Sequence, residues 1–292
     1  MATKEVGFGA AKLPIKKFDI QGMVEHCTIA MIAKRATGKS FLTKEIMYQK
    51  RNLAAAIAIS RTEKLNGFYT DFIPDSYIYS EYSSDILTRI YQRQSRMNED
   101  NKKRIKDGKK VKDDTIMLIM DDCMSDKRWL KDPNIAEMFF NGRHHHLSFI
   151  LTMQYAVGIP PEMRSNFDYI FLLAEDTINN RKKLYEHYAG MFPTFDIFQQ
   201  VFSDLTENYG MMVINNRVHS KNITDKVFWY KAKPVPTFNL GCNKFRRFHD
   251  NAYDPQWNKR LEIFNPESLF SKKRNSVRVT VEKVNTTGPS GH

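Results

Sequence analysis

Gly38-Lys39-Ser40 follows a short apolar run and precedes an amphipathic segment, in the stretch MIAKRATGKSFL at 31–42. A loop of these residue types can hold the phosphates of a nucleoside triphosphate such as ATP. Backbone N–H groups turn inward around the phosphate oxygens, and the next helix aims its partly positive N-terminus at the same place. Lys39 would reach the outer phosphates and the Ser40 hydroxyl would bind Mg²⁺. Lys34, Arg35, Ala36, Thr37, Gly38, Lys39 and Ser40 would supply the cradle, with Ala33 and Phe41 at its two ends. The usual pattern is G-x-x-x-x-G-K-[ST], and Ala33 stands where the first glycine belongs. Alanine fits that position if φ is negative there, and it still carries an N–H. A bare G-K-[ST] arises often by chance, so the loop alone decides nothing.

A second site is therefore required. Hydrolysis needs a carboxylate for the Mg²⁺ shell and a second one to activate water, placed at the end of a buried strand. Ile116-Met117-Leu118-Ile119-Met120-Asp121-Asp122 has that form: five apolar residues and then two acids. Asp121 would face Mg²⁺ through water, and Asp122 would be the general base. The competing reading makes the two acids a cap for the next helix. Leu147 to Met153 is the next apolar run, and Gln154 at its end could touch both the γ-phosphate and the attacking water.

These residues need elements to position them. Strands are expected at 28–33, 55–60, 77–80, 115–121, 147–153, 169–173, 211–215 and 226–231. Helices are expected at 40–51, 84–106, 130–142, 161–166, 177–189 and 194–207. Strands that alternate with helices and read as continuous apolar runs imply a largely parallel sheet covered on both faces. The order phosphate loop, acid-tipped strand, polar-tipped strand defines the additional-strand (RecA/FtsK-like) class of P-loop NTPase. The expected fold is thus α/β, with a central, mostly parallel sheet flanked by helices. Residues 1–27 read as a lead-in, 28–235 as the P-loop domain, and 236–292 as a basic C-terminal extension. Within that extension VRVTVEKV is a candidate edge strand and the last eight residues or so read as disordered.

Composition narrows the classes. Lys and Arg total 45 against 33 Asp and Glu, a net charge of +12, which favours a polyanionic partner. The lysine-rich stretch 101–114 is a candidate DNA-contacting loop, with a solvated insertion as its rival. Lys272, Lys273 and Arg274 are further cations that could meet phosphates. Three unpatterned cysteines form neither a disulfide framework nor a zinc site. No apolar run approaches a membrane span and the first residues lack a secretory core, so a soluble intracellular protein is expected. His144-His145-His146 invites a metal reading, but consecutive residues point in different directions. Phe139 and Phe140 read as core.

The stretch FFNGRHHHLSFILTMQYAVGIPPEMRSNFDYIFLL, 139–173, together with the loop at 33–40, SRTEKLNGFYTDFIP at 60–74 and MLIMDDC at 117–123, resembles the genome-packaging ATPases of nucleocytoplasmic large DNA viruses. These belong to the FtsK–HerA superfamily of DNA-pumping motors. The resemblance covers roughly 25–235. Ala33 departs from the family's usual glycine. Asp122 departs from the Asp-Glu of the wider superfamily but suits this viral branch. The resemblance implies a ring, hexameric or pentameric, that hydrolyses ATP at subunit interfaces and threads double-stranded DNA into a preformed capsid through its vertex. It also implies a trans arginine, with Arg143 favoured and Arg164 as runner-up, and a place in the host cytoplasm at the virus factory and in the virion. Two other classes remain open on the residues alone. One is a P-loop kinase. The other is a nucleotide-binding structural or DNA-binding virion protein with little hydrolysis.

Overall fold

The computed structural model describes residues 3–8, 11–125 and 127–256 of the chain. The VRVTVEKV segment, Lys272, Lys273, Arg274 and the last eight residues lie outside the described residues.

Among the described residues, ten strands form one sheet: β1 (Thr3–Phe8), β2 (Ala11–Lys17), β3 (Thr28–Ile32), β4 (Ala55–Ser60), β5 (Ile78–Tyr79), β6 (Ile116–Asp121), β7 (Leu147–Met153), β8 (Tyr169–Leu172), β9 (Gly210–Asn215) and β10 (Val227–Lys231). The helices are α1 (Lys39–Gln49), α2 (Glu63–Asn66), α3 (Ser84–Lys106), α4 (Pro133–Asn141), α5 (Pro161–Arg164), α6 (Ile178–Tyr188), α7 (Phe195–Thr206), α8 (Ile223–Lys226) and α9 (Asn243–Ala252). The strand order is β1-β2-β10-β9-β8-β3-β7-β6-β4-β5. From β8 to β5 every pairing is parallel, whereas β9 is antiparallel to both β8 and β10. The acid-tipped β6 does not touch β3; β7 lies between them. That inserted strand is the mark of the additional-strand class expected from the sequence.

The continuous apolar runs are explained by burial on both faces. Successive side chains of a strand point to opposite sides of the sheet. Ala30 and Ile32 of β3, with Leu118 and Met120 of β6, pack on the face covered by α3, α4, α6 and α7. Ile29 and Met31, with Met117 and Ile119, pack on the other face, against Leu42, Ile46 and Met47 of α1 and against Tyr69 and Phe72. Each fully buried side chain of this kind contributes about 1.5–3 kcal/mol.

Residues expected as lead-in form β1 and β2, and the end of β2, Lys16 and Lys17, pairs with Phe228 and Trp229 of β10. Met1–Asn251 forms one compact unit and Ala252–His292 a second, described only to residue 256. Residues 236–251, read from the sequence as part of a basic extension, belong to the first unit: Leu240 is buried and its N–H donates to the Phe72 carbonyl at 2.9 Å, and Phe245 stacks on Tyr77 at 3.9 Å. Lys102, Lys103 and Lys106 are not in a free loop. They lie in the last turns of α3, and 107–114 folds back along it, held by Asn101–Lys112 hydrogen bonds and a 2.5 Å Lys112–Asp100 ion pair. Phe139 is buried as expected, but Phe140 is 41% exposed, because one step around α4 turns it away from the sheet.

Candidate active site

The loop after β3 begins with Ala33, which is 2% exposed and donates its N–H to the Met153 carbonyl at 2.9 Å. Its φ is not positive, so glycine is not required there. That N–H continues the pairing with β7, so the cradle proper begins at Lys34. Left-handed backbone falls instead at Ala36, φ 62°, and at Gly38, φ 100°, the residue that opens α1. Among the described residues, no protein acceptor takes the backbone N–H groups of Lys34 to Gly38. Thr37 steadies the turn by donating its hydroxyl to the Lys34 carbonyl at 2.7 Å. Lys34 is anchored to Asp176 at 2.9 Å, and this bond holds the ammonium pKa above and the carboxyl pKa below their ordinary values.

β6 and β7 bring the acids to this loop. Lys39 Nζ lies 3.2 Å from Asp121 Oδ1, with both side chains mostly shielded from water. The Thr152 hydroxyl donates to the same Asp121 oxygen at 2.5 Å and accepts the Asp122 N–H at 3.1 Å. Gln154 Nε2 donates to Asp122 Oδ2 at 2.5 Å. Asp122 itself has φ 56°, a left-handed conformation that costs a non-glycine residue about 1–3 kcal/mol. The turn sends the two adjacent carboxylates to different partners: Asp121 to Lys39 and Thr152, Asp122 to Gln154. Among the described residues, the side-chain cap of α4 is Asp132 and not either of these acids.

Buried neighbours complete the floor. Tyr69 is 1% exposed, and burial first, then the nearby Asp121 carboxylate, pushes its phenol well above its usual pKa. The Cys123 thiol is pushed up to about 12 by burial and by Asp121, so it stays protonated. Tyr69 is itself held by Glu63, whose carboxylate accepts the N–H groups of Tyr69 and Thr70.

A cleft of about 810 Å³ joins these parts. Ala33, Lys34, Arg35, Ala36, Gly38, Lys39, Ser40, Phe41, Asp121, Asp122 and Gln154 all line it. Arg143 and Arg164 do not. Arg143 lines a separate cavity of about 270 Å³ with Thr28 and Asp168, at the end of the sheet where the parallel strands begin. Arg164 stands over the Tyr188 ring at 5.8 Å. The histidines go elsewhere too: His145 meets Glu137 at 3.3 Å, and His146 meets Asp114 at 2.7 Å and stacks on His26. Sequence reasoning missed Thr152, Tyr69 and Tyr209. Thr152 was signalled only by being the one polar residue near the end of an apolar run. Tyr209 lines the cleft because β9 is antiparallel to β8 and therefore starts where β3 and β8 end.

The donor set suits Mg²⁺ with a nucleotide. A serine hydroxyl and a carboxylate are hard oxygen ligands, and Mg²⁺ commonly takes one or two protein oxygens, with waters and phosphate oxygens for the rest. The unclaimed N–H groups of Lys34 to Gly38 suit phosphate oxygens.

No family model matches the sequence. Among curated proteins, the chain is 41% identical over 274 residues to uncharacterized protein L437 of Acanthamoeba polyphaga mimivirus, covering 92% of this chain and 96% of that one. It is 34% identical over 232 residues to uncharacterized protein 088R of Invertebrate iridescent virus 3, covering 78% and 85%. Among solved structures, the genome packaging NTPase B204 from Sulfolobus turreted icosahedral virus 2, in complex with AMPPCP, aligns with a TM-score of 0.50 at 15% identity, over 72% of this chain and 99% of that one. The structural likeness establishes the P-loop NTPase fold; by sequence, the chain belongs to the family that contains L437 of the mimivirus and 088R of the iridescent virus.

Proposed function

We propose that the chain is an ATPase that couples hydrolysis of ATP to movement of double-stranded DNA, packaging a viral genome into a preformed capsid. The observation that carries the chemistry is the separation of the two carboxylates: Asp121 faces Lys39 and Thr152, while Asp122 faces Gln154 in the same cleft. One acid is thereby assigned to charge and metal, and the other to water.

In this reading the N–H groups of Lys34 to Gly38 cradle the phosphates and Lys39 exchanges Asp121 for the outer phosphate oxygens. Ser40 and Asp121 would hold Mg²⁺, which supplies Lewis-acid neutralisation of the phosphate oxygens. Asp122 accepts a proton from water as that water attacks the γ-phosphorus. The bond to the bridging oxygen breaks, and ADP and phosphate leave. Gln154, hydrogen-bonded to Asp122, sets the base's direction and touches the γ-phosphate.

Translocation, a ring of subunits, docking at a capsid vertex and a site of action in the host cytoplasm are parts of the same proposal. Support comes from the B204 fold neighbour, itself a genome packaging NTPase, from relatives encoded by viruses, and from the net charge of +12. The test is steady-state phosphate release from Mg²⁺-ATP, with and without long duplex DNA, for the unaltered chain and for Asp122→Asn. Turnover that rises with DNA and vanishes in Asp122→Asn, with nucleotide binding retained, is expected. Full turnover in the variant removes Asp122 as the base, and turnover indifferent to DNA removes the coupling.

A further inference from the structure

We infer that Tyr209 is a stacking platform for the nucleobase of the nucleotide held by the 33–40 loop, an inference that rests on the nucleoside triphosphate reading above. Tyr209 is 66% exposed and lines the same cleft as Lys39, Asp121 and Gln154. Its ring lies against the loop: a side-chain carbon added at Gly38 would stand 3.9 Å from Tyr209 Cδ1. Phe41, on the first turn of α1, lines the cleft as well and is 62% exposed. Large aromatic rings left open to water on one cleft mark a surface awaiting an apolar partner. Met211, Ala232 and Pro234 extend this apolar wall. The phosphate machinery and the apolar wall therefore share one cavity, which is the division of polar and apolar surface that a nucleotide presents.

The backbone holds the ring in place at a cost. Asn208 and Tyr209 are consecutive non-glycine residues with φ of 50° and 62°. Such conformations persist only where surrounding structure over-determines them, and they gather at ligand clamps. Here the clamp is Gly210: a side-chain carbon there would lie 2.3 Å from the Leu205 carbonyl oxygen and 2.9 Å from that of Glu207. Leu205 and Phe202 of α7 are buried beneath it. The turn between α7 and β9 is thus pinned from below while its tyrosine faces the cleft. A flat ring with apolar walls recognises a π-face and not a base edge, so purines of either kind should depend on it equally.

The experiment compares binding of Mg²⁺-ADP, Mg²⁺-GDP and Mg²⁺-tripolyphosphate to the full chain by calorimetry. It uses the unaltered protein, Tyr209→Ala, Tyr209→Phe and Tyr209→Gly. The glycine variant removes the ring while accepting the left-handed backbone, and thermal melting confirms that it folds. The expected result is a loss of about tenfold or more in affinity for both nucleotides in the Ala and Gly variants. Tripolyphosphate binding should be unchanged and Tyr209→Phe should retain nucleotide affinity. Equal losses for nucleotides and tripolyphosphate would make Tyr209 a support of the loop, and unchanged nucleotide affinity would remove it from the site; either overturns the inference. Failure of all three ligands to bind the unaltered chain would instead remove the phosphate-loop reading, and this inference with it.

Discussion

The hydroxyl of Thr152 accepts the Asp122 N–H and donates to the Asp121 carboxylate, at a position with no exposed surface. Valine has nearly the same shape and can do neither. Thr152→Val should destabilise the fold by about 1–3 kcal/mol, the range for leaving buried polar groups unpaired. It should also reduce ATP turnover. Urea unfolding and phosphate release would check both; unchanged stability would show that the two acids are oriented without it. Two alanines of the loop make opposite predictions. Ala33 has a buried methyl and ordinary backbone, so Ala33→Gly should cost about 1 kcal/mol through lost burial and added unfolded-state freedom. Ala36 has φ 62°, where a side chain costs about 1–2 kcal/mol, so Ala36→Gly should be neutral or stabilising. A lower urea midpoint for Ala36→Gly than for Ala33→Gly would refute this reading of the loop. The backbone at position 33 thus makes no demand for glycine.

At the scale of elements, α1 is tied to β10 and the segment after it by one buried acid. Glu45 is 3% exposed, accepts the Tyr230 hydroxyl at 2.8 Å and accepts the Lys233 N–H at 2.9 Å. Glu45→Leu would leave both donors without this acceptor and should destabilise by about 2–4 kcal/mol, whereas Glu45→Gln keeps one acceptor and should cost less. Equal unfolding midpoints for the two variants would show that the carboxylate is not the tie. The cationic element is the α3 tip with its returning segment. Lys109 and Lys112 are already engaged with Asp107 and Asp100. Replacing Lys102, Lys103, Lys106 and Lys110 with Gln should weaken duplex binding and flatten its salt dependence, by about 0.9 in slope for each phosphate no longer neutralised. An unchanged slope in a salt titration would make this tip a solvated insertion.

At the scale of the whole molecule, Arg143 and the loop at 33–40 lie at opposite ends of the parallel strands. β3 alone, five residues, spans about 16 Å. Arg143 is therefore out of reach of a nucleotide in its own cleft, and in the proposed ring it would have to act on that of another copy. Arg143→Ala should lack turnover by itself yet recover part of it when mixed with Asp122→Asn, since the mixture contains interfaces with one intact arginine and one intact base. No recovery, with recovery from Arg164→Ala instead, would transfer the role. Much of this molecule was legible before folding, because the chemistry of Gly38-Lys39-Ser40 and of Asp121-Asp122 is carried by contiguous residues flanked by periodic apolar runs. Strands and helices from 28 to 231 fall close to their expected ranges for the same local reason. By contrast, the turn at Tyr209, the Thr152 bridge and the packing of 236–251 were not legible, since each depends on partners far away in sequence. Local side-chain chemistry and strand periodicity were enough to single out Lys39, Ser40, Asp121, Asp122 and Gln154 as one candidate site, and the folded chain brings them to one cleft. The backward run of β9, and with it the place of Tyr209 in the cleft, came only with the folded chain, because strand direction there is settled by long-range pairing and burial.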